Sequence, residues 1–172
     1  YPEFSEQRQL TPKKRRAQIY LKGQTIQEDY YIGEAIHQLT TPLLGQIKPA
    51  IKAFWSYPET GFHPLAVMAI QERYPKEALK HTFSMLGEGQ VSLTKVMITV
   101  GDDVDVRNIR AVSAALWHHL TPDGIHVISP TAQDTLDFTG PAMNTGSRLI
   151  LLATGTDAGP VRHTPPSLPV SV

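Results

Sequence analysis

Asp102, Asp103 and Asp105 place three carboxylates at the end of the apolar run 96–100. Hard cations take several oxygen ligands, so this spacing admits a metal site. It suits a helix start better: acidic side chains after a strand accept from free backbone N–H groups and meet the positive end of the helix dipole. Asp105 is the expected N-cap of a helix carrying Ile109, Val112, Leu116 and Leu120. His118 and His119 are adjacent and would point about 100° apart on a helix, so they cannot share a metal as histidines four apart do. The turn Gly87-Glu88-Gly89-Gln90, followed by Thr94-Lys95, is more suggestive. Glycines let backbone N–H groups approach an anion, and a lysine at a strand start can meet phosphate. It is not a P-loop, because no glycine precedes the lysine and a strand follows it. A solvated surface lysine competes with this reading, and Gly146-Ser147-Arg148 is a weaker version of the pattern.

The elements that must position these residues follow from periodicity. A helix is expected from Glu28-Asp29 through Ile32, Ala35, Ile36 and Leu39, ending near Thr40-Thr41 because the residue before Pro42 avoids the helical region. Short strands are expected at 17–21 and 51–55, and central strands at 65–70 and 96–100, whose continuous apolar character suits burial on both faces. Between the central strands, a helix following Pro75 presents Leu79, Thr82, Phe83 and Leu86 and stops at Gly87 and Gly89. Further strands are read at 125–128 and 149–152, separated by a long loop over 129–146. The order is β-α-β-β-α-β-α-β-β. It makes an α/β layered domain, with α+β the other arrangement, around a mixed sheet flanked by helices. Residues 1–16 read as an extended arm, 17–154 as the domain and 155–172 as a Pro-rich flexible tail.

Composition narrows the function classes. The 172 residues suffice for one well-packed domain. Lys+Arg 16 balances Asp+Glu 16, so no overall basic field draws nucleic acid or anionic lipid. The basic run Lys13-Lys14-Arg15-Arg16 reads as a solvated segment. The absence of cysteine excludes disulfides, thiolate metal sites and a cysteine nucleophile. No apolar run approaches the length of a membrane span, and a cytoplasmic protein is expected.

Four segments in register resemble a known family: E-D-Y-Y-I-G-E-A (28–35), G-F-H-P-L-A-V-M-A-I-Q-E-R-Y-P-K-E-A (61–78), L-T-K-V-M-I-T-V-G-D-D-V-D-V (93–106) and L-D-F-T-G-P…G-S-R (136–148). Together they are similar to the C-terminal domain of the UbiD decarboxylases, which include 3-polyprenyl-4-hydroxybenzoate carboxy-lyases. The resemblance implies reversible non-oxidative decarboxylation of an aromatic or unsaturated acid, with prenylated FMN and a divalent metal. It also points towards quinone biosynthesis. In the family, the metal-linked phosphate site and the catalytic Glu-Arg-Glu set lie in a preceding flavin-binding domain. The resemblance therefore makes this chain the cofactor-distal part: inactive alone, without catalytic or metal residues of its own, lining the substrate pocket and supporting a homo-oligomer. Lys95 is the residue it brings to the cofactor phosphate, with Thr94 and Gln90 as weaker neighbours. Where the family commonly shows G-S-K-M-G-I-D-A-T, this chain has G-S-R-L-I-L-L-A-T (146–154), so Arg148 keeps a charge and Leu152 replaces a carboxylate. The alternative is a non-catalytic assembly or regulatory module with the same fold.

Overall fold

The computed structural model describes residues 28–134, 137 and 140–155. The expected strand at 17–21, the arm, and the tail beyond Gly155 lie outside those residues. The chain divides into two compact units, one ending at Leu39 and the other starting at Thr40.

Among the described residues of the second unit, five strands form one sheet: β1 (Ile51–Ser56), β2 (Leu65–Ile70), β3 (Val96–Gly101), β4 (Ile125–Ala132) and β5 (Thr145–Ala153). Their order is β1-β2-β3-β5-β4. The β2–β3 and β3–β5 pairs are parallel, and β1 and β4 close the edges antiparallel. The mixed sheet matches the expected α/β class, and helix α2 (Glu77–Leu86) makes the crossover of the expected βαβ unit.

Alternation along the strands builds a core on each face. Val67, Ala69, Ile98 and Val100 point to one side, where Val112 and Ala115 of α3 (Ile109–His119) cover them. Ala66, Met68, Met97 and Ile150 point to the other, against Met85 and Leu86 of α2. The side chains of β2 and β3 in these clusters are almost wholly removed from water. Continuous apolar strands of this kind require cover on both faces.

Several expectations are corrected. Helix α1 (Glu28–Ile47) continues through Pro42 instead of stopping at Thr40-Thr41. The preference of a pre-proline residue is a bias of the local chain, and here the helix overrides it. The buried face of α2 is Glu77, Ala78, Thr82, Met85 and Leu86, whereas Phe83 is exposed. Helix α3 is capped by Asn108, whose side-chain oxygen accepts from Arg110 N and Ala111 N, while Asp105 accepts from Arg107 N one turn earlier. Strand β4 passes Ser129-Pro130 to Ala132 and β5 begins at Thr145, so the loop between them is shorter than expected. Proline removes a ladder donor, which an edge strand such as β4 tolerates.

Candidate functional site

The residues able to do chemistry gather at the two ends of the parallel strands. At the end where β3 starts, Lys95 is fixed by its backbone. Its N–H donates to Pro64 O at 3.2 Å, and its carbonyl accepts from Leu149 N at 2.8 Å. This ties the residue between the start of β2 and the middle of β5. Its Nζ lies 3.0 Å from Asp137 Oδ2, with 31% of the lysine side chain and 11% of the aspartate exposed. Thr94 is buried directly before it and closes the 3-10 turn Gly89–Leu93, donating its N–H to Val91 O. Gln90 is exposed on that turn. The sequence-predicted trio thus shares one corner, with Lys95 forward, Thr94 inward and Gln90 in solvent.

Arg148 also enters this corner but turns inward. Its guanidinium donates to Leu86 O at 3.3 Å, Ala132 O at 3.0 Å and Ser92 O. It thereby staples α2, the 3-10 turn and β4 to β5, and burial pushes its pKa down. Its Nε is buried without a hydrogen-bond partner. Gln133, at the end of β4, is buried with neither amide atom partnered. The amide lies against Gly146, where an added Cβ would fall 1.5 Å from Oε1. Asp137 and Gln133 were not found as site residues from sequence. The only signal for Asp137 was its place in the L-D-F-T-G-P segment.

The opposite end holds a carboxylate network that sequence reasoning also missed. Glu77 is fully buried and accepts from Arg73 N at 2.7 Å and Arg73 Nε at 3.1 Å, with His81 Nε2 3.6 Å away. Hydrogen bonds from the Arg73 side chain dominate burial and hold the Glu77 carboxyl down at about 2. The i, i+4, i+8 spacing of Arg73, Glu77 and His81 was a legible signal. Glu72 accepts from Ala78 N at 2.9 Å and Thr154 Oγ1 at 2.8 Å, joining the start of α2 to the end of β5. Thr82 and Thr99 share a buried hydroxyl contact at 2.7 Å. The Glu77, Glu72 and Thr82 contacts brace α2 against its neighbours at this end.

The aspartates of the β3–α3 turn are exposed, and the Asp103 carboxylate folds back on Gly101, where a Cβ would meet Oδ1 at 2.6 Å. Among the described residues, no three His, Asp or Glu side chains group as a metal site. His118 and His119 are exposed, with ring centroids 6.3 Å apart.

The family model of the 3-octaprenyl-4-hydroxybenzoate carboxy-lyase C-terminal domain, that of the UbiD enzymes, matches residues 30–153. This chain belongs to the UbiD family. The UbiD match spans both the Lys95 corner and the Glu77 network. An uncharacterized protein of Chlamydia muridarum is 41% identical over 86% of this chain and 26% of its own length. A Chlamydia pneumoniae protein named as part of a 4-hydroxybenzoate decarboxylase is 38% identical over 77% of this chain and 23% of its own. The chain therefore spans about a quarter of the length of these curated relatives. Among solved structures, vanillic acid decarboxylase of Sedimentibacter hydroxybenzoicus in closed form shares the fold with a TM-score of 0.66 at 20% identity, over 84% of this chain and 29% of that one. The UbiD-class enzyme HmfF of Pelotomaculum thermopropionicum, in complex with FMN, has a TM-score of 0.62 at 16% identity, over 81% and 30%.

Proposed function

We propose that this chain is the cofactor-distal part of a prenylated-FMN-dependent, non-oxidative decarboxylase acting on an aromatic or unsaturated carboxylic acid. The observation that carries the reading is the UbiD match over residues 30–153. Similar proteins named for 4-hydroxybenzoate and vanillic acid support an aromatic acid, and HmfF with FMN, or with prFMN in its evolved dimeric form, supports the flavin. Quinone biosynthesis, a cytoplasmic setting and assembly into an oligomer belong to the same reading.

The Lys95 corner fits one edge of a phosphate site. The part-exposed ammonium can donate to phosphate oxygens, and the backbone bonds to Pro64 and Leu149 hold the residue in place. Gln90 is free to approach in solvent, while buried Thr94 shapes the strand start behind the lysine. One lysine does not make a complete phosphate cradle. A flavin-binding domain would supply the remainder, the divalent metal and the Glu-Arg-Glu set, and this chain alone would be inactive. When bound, the cofactor supplies the electron sink for decarboxylation. This domain supplies charge, a wall of the substrate pocket and exclusion of water.

The test joins this chain to the flavin-binding portion of a relative and measures flavin retention on gel filtration together with CO2 release. Both parts should be required, and Lys95→Met should weaken flavin retention by roughly two- to fivefold, the worth of one partly exposed charged contact. Equal CO2 release without this chain would overturn the reading.

A further inference from the structure

Lys95 does not offer a bare charge. Its ammonium is met at 3.0 Å by the Asp137 carboxylate, which is the more buried partner of the pair. Asp137 is held in turn by its own backbone, donating N–H to Asp134 O at 3.1 Å, beside the neck that Gln133 N closes on Asn144 O. Resting on the reading that Lys95 meets a flavin phosphate, we infer that Asp137 is a specificity-determining residue: an internal carboxylate that an incoming anion must displace from Lys95.

The consequence is selection by charge. The Lys95–Asp137 pair carries no net charge, so a monoanion that replaces the aspartate exchanges one carboxylate contact for another and gains little. A phosphate monoester carries nearly two negative charges and three strong acceptor oxygens near neutral pH. It gains more from Lys95 than Asp137 gives up. The corner is thereby closed to carboxylates, including the acid substrate of the proposed reaction, and open to the dianionic phosphate of a flavin mononucleotide. Asp137 acts through Lys95, as a positioning residue.

Titrations of the full chain with inorganic phosphate, acetate, FMN and riboflavin, followed by NMR shifts of Lys95 and Asp137, test this. The wild-type chain should bind phosphate and FMN weakly, and neither acetate nor riboflavin. Asp137→Asn should bind phosphate roughly fivefold more tightly and acquire acetate binding, and Asp137→Glu should restore the wild-type selectivity. Lys95→Met should bind none of the four. Phosphate binding that is unchanged or weaker in Asp137→Asn would overturn the role of Asp137 and leave the Lys95 reading standing. Phosphate binding in neither the wild type nor Asp137→Asn would overturn the role of Asp137, and flavin retention that Lys95→Met leaves unchanged in the joined protein would overturn the Lys95 reading beneath it. If Asp137→Asn fails to fold, the wild-type titration decides: phosphate must shift both Lys95 and Asp137 while acetate shifts neither, and any other pattern overturns the proposal.

Discussion

Glu77 is buried in full while the Arg73 side chain that holds it is 57% exposed, so the charge pair sits at the rim of the core. The carboxyl is held below its ordinary value of 4.5, at about 2. A depressed acid contributes stability above its unfolded pKa and loses that contribution as pH falls through the folded one. Stability should therefore be level above about pH 5 and decline between about pH 4.5 and 2. Urea midpoints measured across that range check it, and Glu77→Gln should flatten the decline while lowering stability at neutral pH. Leaving Arg73 without its partner and a neutral amide in its place removes the charge-assisted bonds that make the site favourable. Lys48 and Glu88 form a second pair, also holding the Glu88 carboxyl down, but Glu88 is 56% exposed and its contribution is screened.

At the scale of elements, the end of β4 depends on two residues that meet only through the hairpin. Gly146 leaves room for the Gln133 amide, and a methyl group there would overlap it. Gly146→Ala should destabilise the domain by about 1–3 kcal/mol. The double variant with Gln133→Ala should recover most of that loss in thermal melts, because the crowded amide is gone. This pair also shows what the sequence could and could not reveal. Strands β2 and β3 were legible because continuous apolar runs need no knowledge of their partners. The phase of α2 was legible in part: Thr82 and Leu86 were expected on the packed face and lie there, whereas Glu77 is inside through Arg73 and Phe83 is outside. Hydropathy ranks Glu77 as polar, so the pattern missed it and counted Phe83 inward. The ends of β4 and β5 were illegible for a related reason: ladder pairing extends both strands past Ser129-Pro130 and back to Thr145. Lys95 was legible as a candidate, whereas its carboxylate, Asp137, lies 42 residues away and only the fold brings it close.

At the scale of the molecule, the sheet combines two kinds of pairing with different demands on the chain. The β1–β2 and β4–β5 pairs are antiparallel neighbours in sequence, whereas β3 joins β2 and β5 in parallel across longer connections. Closing a longer loop costs more chain entropy before any contact rewards it. The two hairpins can therefore form early, and the middle of the sheet should be the late event in folding. Small core truncations separate the stages. Val100→Ala in β3 should chiefly speed unfolding, with a φ-value near zero, and Leu149→Ala in β5 should slow folding as well. The strand that introduces Lys95 is then the keystone of the fold, set last between two halves already standing.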